Sequence, residues 1–386
     1  MQRFSAIDGL RFWMAWWVIA DHIFLATGAR RYVSPQVADF IEHGNWAVQL
    51  FMIISGFVIT HVILSRKDTY QTYIIQRFFR LYPLYVVAMI AAISVRDWDA
   101  SVWADSSYIA DPLRAINRIA SENTYPMLHA ILHVTMFHGV VPDDRLAYAS
   151  SAFLPPAWSL SVEWQFYLVA PLLLRVLIKP SPLGWFLAAL GIATSLVTTF
   201  GSYAWWQYLS FLPQALPYFI IGVVSQLAIR RQLSISVIII LLVALFIGGF
   251  STNIYHSSGF LLVLTIWIFY LVLSLYENNS HFRWHRSVIV VSKLVATHRL
   301  YIYLGKISYS SYLIHVPILT LFLGFGRAVT GSSDDIATLS LAIASIPTII
   351  AASALFYHFV EVPGIRLGRA IYRQRNGYEE RRPLHV

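Results

Sequence analysis

Apolar stretches separated by short polar segments run along almost the whole chain. Most of these stretches are close to the ~20 residues that a helix needs to cross the hydrocarbon core of a bilayer. Ten such spans are predicted: 9–27, 46–64, 81–95, 158–178, 183–200, 211–229, 235–250, 259–276, 302–323 and 337–360. The pattern therefore predicts an all-α fold, a polytopic integral membrane helical bundle of about ten transmembrane helices.

Residues 96–157 interrupt this pattern with a long polar segment. Its one apolar piece, 128–140, is too short to cross a bilayer. We predict that 96–157 forms an outer loop or cap with short helices of its own, because structureless connections of this length are uncommon. Residues 1–365 then form one membrane domain, and residues 366–386 form a basic cytoplasmic tail.

The composition agrees with a membrane protein. Of the 386 residues, 58% are hydrophobic and 12% are charged, whereas soluble domains have about 25% charged residues. This balance excludes a disordered chain, a nucleic-acid-binding module and an ordinary cytosolic enzyme. The chain has no cysteine, which excludes disulfides, thiolate catalysis and cysteine-bound metals. Asp21 and His22 interrupt the first apolar run, so we interpret it as a retained helix rather than a cleaved signal peptide.

The basic residues predict the orientation of the bundle. With the N-terminus in the cytoplasm, nineteen of the 28 Lys and Arg residues fall on the inner side and seven on the outer side. This asymmetry fits the preference of cytoplasmic loops for positive charge and predicts that both termini are cytoplasmic. It also accounts for the net charge of +9 without a nucleic-acid partner.

Titratable residues inside predicted spans are costly and point to a site. His22, Glu163 and His315 reach a similar depth in the outer half, when depth is counted at ~1.5 Å per residue from the ends of their spans. Each of them, considered singly, is as consistent with an ion pair or an interhelical hydrogen bond as with a functional site. Three at one level indicate a site.

A second, cationic level is predicted near the inner face. Arg77 and Arg80 are three residues apart and share a helix face, and Arg11 and Lys306 approach the same depth. Arginine binds phosphate oxygens through two N–H groups at once. The alternative is that these residues are ordinary positive-inside charges, with Arg11 extending its guanidinium to the interface.

Three further histidines have spacings of four and five residues: His129, His133 and His138. Histidines four apart on a helix can hold a metal. No further ligand is clearly placed, so no metal site is predicted.

Six short motifs, in order, resemble the membrane-bound acyltransferase-three family. They are Ile7–Arg11 with His22, Leu50–Phe57, Arg77–Pro83, Trp158–Leu160 with Glu163–Tyr167, Ser308–Tyr309 with Tyr312–His315, and Glu361–Pro363. Phe12 departs from the pattern, since the family often has a small residue there. The C-terminal hydrolase-like domain of some members is not expected in this chain.

The resemblance implies a function and roles for the matched residues. Members O-acylate sugars of bacterial surface and exported polysaccharides, which implies an inner-membrane enzyme with acyl-CoA, most simply acetyl-CoA, as donor and a glycan as acceptor. His22 is implied as the essential histidine, either as a general base or as a transient acyl carrier. Glu163 is implied to orient His22, and His315 to assist proton transfer or bind sugar. Arg11, Arg77 and Arg80 are implied to bind the phosphates of acyl-CoA.

Two other classes of function are consistent with the residues. A proton-coupled transporter of a glycan or small anion also has titratable groups at one depth, although such proteins tend to show inverted repeats, which this chain lacks. A scaffolding subunit of a glycan-assembly complex predicts that the buried charges are dispensable. The sequence leaves the acceptor sugar and the oligomeric state open, a homo-oligomer included.

Overall fold

A computed structural model gives the structure of the chain and describes residues 4–66, 68–104, 113–178, 182, 206, 208–230, 259–277, 290–330 and 335–375. These residues form helices and contain no strand, which confirms the predicted all-α class. The helices are α1 Ser5–Thr27, α2 Pro35–Ile41, α3 Gly44–Ser65, α4 Tyr70–Ser94, α5 Arg96–Ala104, α6 Arg114–Thr124, α7 Pro126–Val134, α8 Trp158–Ile178, α9 Leu212–Ile229, α10 Gly259–Glu277, α11 Arg299–Lys306, α12 Ser308–Thr330, α13 Asp335–Phe356 and α14 Val362–Arg375. Among the described residues, two π-helical turns occur, at Lys293–Thr297 and Tyr357–Glu361.

Six helical segments within the described ranges are long and apolar enough to cross a membrane. They are Pro35–Ser65, Tyr70–Ser94, Pro155–Ile178, Leu212–Ile229, Ser308–Val329 and Ile336–Ile371. The chain is therefore a multi-pass membrane protein. The predicted spans 183–200 and 235–250 lie outside the described residues. The total of about ten and the side of each terminus stay predictions.

Three of the predicted spans, the third, ninth and tenth, differ from the observed helices in their bounds. The third predicted span starts at residue 81, but α4 already starts at Tyr70, where the Thr69 hydroxyl caps the helix by accepting from the Thr72 amide at 3.3 Å. The ninth is two helices, because α11 ends at Lys306 and α12 begins at Ser308. The tenth continues through the π-helical turn into α14, so the predicted domain boundary at residue 365 falls within a helix.

Close backbone contacts hold the centre of the bundle together. Helix α1 packs on α3, α11 and α12, and α3 packs along α9. A Cβ atom on Gly222 would lie 1.9 Å from the Ile53 carbonyl oxygen, and one on Gly56 would lie 2.1 Å from that of Phe219. Small residues allow membrane helices to approach in this way. At Phe12, the departure from the family pattern, the ring stacks on Tyr301 of α11 with centroids 5.1 Å apart.

The segment 96–157 contains α5, α6 and α7, and buried ion pairs join α5 to α6. Arg118 pairs with Asp99 and with Glu122, the latter at 3.3 Å, and Arg96 pairs with Glu122 at 3.2 Å. The Thr320 hydroxyl of α12 donates to Asp99 at 3.4 Å. These contacts attach α5 and α6 to α12.

Histidines of the same segment are buried against one another. The rings of His133 and His138 stack with centroids 4.0 Å apart and planes 4° apart. The Tyr85 hydroxyl donates to the His133 carbonyl at 3.1 Å, and His138 Nε2 donates to the Ala157 carbonyl at 3.0 Å. Burial lowers the pKa of His138 to about 4 and that of His133 well below its usual value, to which the neighbouring His138 adds. No group of three or more metal-ligating side chains occurs in the described part of the chain.

This pair predicts a loss of stability in mild acid. In the unfolded chain His138 titrates near its ordinary pKa of 6.5, whereas in the folded protein it stays neutral to about 4. The contribution of His138 to the free energy of unfolding is then constant above pH 6.5 and falls as the pH drops towards 4, by up to about 3 kcal/mol. Melting of the detergent-purified protein at pH 7.5 and pH 5 measures this change. His138→Phe should show a smaller pH-dependent drop, and an equal drop in both proteins would contradict the assignment.

Candidate functional site

A cavity of about 870 Å³, counted with its open mouth, lies among α1, α3, α4, α8, α9 and α12. Its wall is mostly apolar and carries four charged side chains. The lining residues are Arg11, Val48, Phe51, Met52, Ile54, Ser55, Val58, Ile59, Arg77, Arg80, Leu81, Ser159, Leu160, Glu163, Tyr167, Phe219, Ser308, Tyr309 and Tyr312. The predicted cationic residues Arg11, Arg77 and Arg80 therefore line one cavity together with Glu163.

The three arginines of the cavity differ in their partners. Arg80 forms an ion pair with Glu361, which is buried in the π-helical turn and also accepts from the Ser310 hydroxyl at 2.9 Å. Arg80 also lies over the Tyr309 ring, 5.4 Å from its centroid. Its charge is thus already neutralised within the protein.

Arg11 and Arg77 have no such neutralisation. Neither forms an ion pair with a carboxylate of the described residues. The Arg77 guanidinium lies 6.0 Å from the centroid of the Tyr167 ring, and its Nε is buried without a hydrogen-bond partner. Because both residues are half-buried and carry no counter-charge from the described carboxylates, they are suited to an anionic ligand.

Glu163 is held by hydroxyl groups. Ser55 donates to its Oε1 at 3.0 Å, and Tyr167, one turn further along α8, donates to the same oxygen at 2.5 Å. These two bonds hold Glu163 in the cavity wall. The sequence placed His22 and Glu163 at a similar depth, but depth alone does not determine which helices are neighbours.

His22 and His315 lie against each other, although 293 residues separate them. Nε2 of His315 is 3.4 Å from Nδ1 of His22, and the ring centroids are 4.9 Å apart. His22 Nδ1 is 2.8 Å from the Val18 carbonyl oxygen. Since a carbonyl can only accept, Nδ1 carries the hydrogen and the lone pair of neutral His22 is on Nε2. This tautomer is suited to a base or a nucleophile.

Tyr312 separates the cavity from the histidine pair. Its ring contacts Phe51 of the cavity wall, with centroids 6.0 Å apart, and His315, with centroids 6.1 Å apart. Its hydroxyl donates to the Pro156 carbonyl at 2.9 Å and lies 2.9 Å from the Ser159 hydroxyl. Tyr312 is therefore the contact between the two parts of the site.

One predicted site residue lies apart from the others. Lys306 is the last residue of α11, is exposed and does not line the cavity. Sequence reasoning missed Tyr312, Tyr167 and Glu361 as site residues. The sequence spacing could have identified the two tyrosines. Tyr312 lies three residues before His315 and Tyr167 lies four residues after Glu163, so each tyrosine shares a helix face with a predicted site residue.

Comparisons with known proteins agree with the motifs. The family model Acyl_transf_3, described as an acyltransferase domain, matches residues 4–358. The chain is 29% identical over 207 residues to "Acyltransferase MdmB" of Streptomyces mycarofaciens. That alignment covers 50% of this chain and 45% of the relative, so the chain spans about half the length of the relative. No solved structure matches the chain.

Proposed function

The chain belongs to the acyltransferase-three family of membrane acyltransferases, and we propose that it is an integral-membrane O-acyltransferase. It moves an acyl group, in the simplest case acetyl, from cytoplasmic acyl-CoA to a sugar hydroxyl of a surface or exported polysaccharide. The observation that carries this proposal is the pairing of a cationic cavity with two histidines in mutual contact, joined through Tyr312.

The cavity has the chemistry of a CoA thioester site. Arg11 and Arg77 offer two guanidinium groups without ion-pair partners in the described structure, which suits a diphosphate. The rest of the wall is mainly apolar, which suits the thin pantetheine arm. The Ser159 and Tyr312 hydroxyls lie where the cavity meets the histidine pair, and there the thioester is delivered.

His22 is the general base in the proposed reaction. Its Nε2 takes the proton of the acceptor hydroxyl while the hydroxyl oxygen attacks the thioester carbonyl carbon. The carbon–sulfur bond then breaks and the acyl ester forms on the sugar. The CoA thiolate leaves and takes the proton from the His22 imidazolium. His315 supports that imidazolium through the 3.4 Å contact. The alternative route passes the acyl group through His22 Nε2 before the sugar receives it.

An aromatic and cationic cluster fits the acceptor. The Trp158 and Tyr208 rings stack with centroids 5.2 Å apart and planes 9° apart, and the Arg114 guanidinium lies 5.2 Å from the Tyr208 centroid. Trp158 directly precedes Ser159, whose hydroxyl lies 2.9 Å from that of Tyr312, so the cluster is beside the contact between the cavity and the histidine pair. Sugars bind on aromatic faces beside hydrogen-bonding groups, so we place the glycan between this cluster and His22.

The membrane that holds the enzyme, and the orientation of the enzyme in it, follow from the two substrates. Acyl-CoA is cytoplasmic and the modified glycan is exported, so the enzyme belongs in a bacterial inner membrane with its arginine-lined mouth inside. The excess of basic residues on the predicted inner side supports this orientation.

A transfer assay tests the proposal. The purified protein, reconstituted with labelled acetyl-CoA and the glycan of its host, should produce acetyl-labelled glycan. A donor series from acetyl to succinyl identifies the acyl group. Export of unlabelled glycan from vesicles without any acyl donor, together with no labelled product, would overturn the proposal and favour the transporter.

A further inference from the structure

Two more arginines lie beside the cavity, outside its lining, and the proposed roles leave them unused. Arg66 follows the end of α3, and Arg369 lies in α14. The Arg66 guanidinium donates to the Gln76 amide oxygen at 3.0 Å. Gln76 immediately precedes Arg77 in α4, so this bond brings Arg66 next to the cationic edge of the cavity.

Helix α14 brings Arg369 to the same place. A Cβ atom on Gly368 would lie 2.8 Å from the Phe79 Cβ, and one on Gly364 would lie 2.9 Å from the Phe79 carbonyl oxygen. The α14 backbone thus packs directly on α4, within one turn of Arg77. Arg369 follows Gly368 and is exposed, so its guanidinium is accessible to a ligand.

No carboxylate of the described residues forms an ion pair with Arg66, Arg77 or Arg369. Burial, and next the charges of Arg77 and Arg369, lower the pKa of Arg66 from its usual value, and Asp68 opposes this. Three like charges from three separate elements repel one another. An anion bound among them would remove this repulsion.

We propose that Arg66 and Arg369 form a phosphomonoester site that binds the terminal 3′-phosphate on the adenosine end of the CoA donor. This proposal rests on the proposed function and extends it. CoA carries two separate phosphate groups, and the structure offers two adjacent cationic groups. Arg11 and Arg77 hold the diphosphate inside the cavity, and Arg66 and Arg369 hold the monoester at its edge. The headgroup phosphate of an anionic lipid has related chemistry and is the competing ligand.

Direct binding of CoA and of 3′-dephospho-CoA to the purified full-length protein tests the site. The wild-type protein should bind CoA at least about tenfold more tightly than 3′-dephospho-CoA. A factor of this size is the contribution of one or two charge-assisted hydrogen bonds. Arg369→Gln and Arg66→Gln should weaken CoA binding towards the dephospho value and leave dephospho-CoA binding unchanged. Arg366→Gln is the matched control, because Arg366 is an exposed arginine of the same helix, and it should keep the wild-type ratio.

The same measurements separate the competing outcomes. Equal affinity of the wild-type protein for both compounds overturns the monoester site and leaves the acyltransferase proposal standing. If Arg369→Gln and Arg66→Gln keep the wild-type ratio of CoA to dephospho-CoA affinity, the monoester site is overturned as well. If the same variants then bind nanodiscs of anionic lipid more weakly than the wild-type protein does, the arginines bind lipid phosphate. Selective binding of CoA without glycan acylation supports the monoester site and contradicts the proposed transfer.

Discussion

Replacing His22 with alanine should lower acyl transfer by about a thousandfold or more, because the variant loses the group that accepts the proton of the sugar hydroxyl. Donor binding should change little, since His22 does not line the cavity that holds the arginines. Loss of kcat with an unchanged Kd for CoA is therefore expected. Labelled acetyl transfer and CoA binding measure the two quantities separately.

Two control experiments test the role of His22. His358→Ala removes an exposed histidine of the second π-helical turn and should transfer acetyl at the wild-type rate. Incubation of the wild-type protein with labelled acetyl-CoA and no glycan decides between the two chemical routes, because only the acyl-imidazole route labels the protein. If His22→Ala transfers acetyl as fast as the wild-type protein, the catalytic assignment is wrong.

Replacing Arg80 with methionine should both destabilise the protein and weaken donor use. The Glu361 carboxylate is fully buried and pairs with Arg80, and removing one partner of a buried ion pair costs about 3–5 kcal/mol. The free energy of unfolding of Arg80→Met in detergent should fall by this amount. The KM for acyl-CoA should also rise, because Arg80 is part of the cavity wall.

A double variant separates the two effects. Arg80→Met with Glu361→Leu removes both charges and leaves only the Ser310 hydroxyl without its acceptor, so most of the lost stability should return. The donor KM should stay high, because the cationic wall is still incomplete. Full recovery of both stability and KM would show that Arg80 serves only to neutralise Glu361.

The hydropathy pattern predicted the helical class well because each helix satisfies its own backbone within a single apolar stretch. It therefore located α3, α8 and α9 within a few residues. It did not detect the break at Ile307 between α11 and α12, since an uninterrupted apolar run is compatible with either one helix or two.

The site was harder to predict because it depends on distant pairs. His22 and His315, like Arg80 and Glu361, come from opposite ends of the chain, and no local spacing shows that they meet. The sequence could place these side chains only by depth along their own helices. Depth located Arg11, Arg77 and Arg80 near one another, but it also placed Lys306 with them, and Lys306 lies at an exposed helix end.

Tyr312 has a consequence for the insulating function of the membrane. In the proposed reaction one substrate enters from each side, so a barrier to water and protons is needed between the two entrances. The Tyr312 ring, only 6% exposed and fixed by its hydroxyl to the segment before α8, contacts both Phe51 of the cavity wall and His315. An open, hydrated path at this point would conduct protons and dissipate the electrochemical gradient on which the cell depends. Tyr312 therefore acts as an electrical seal.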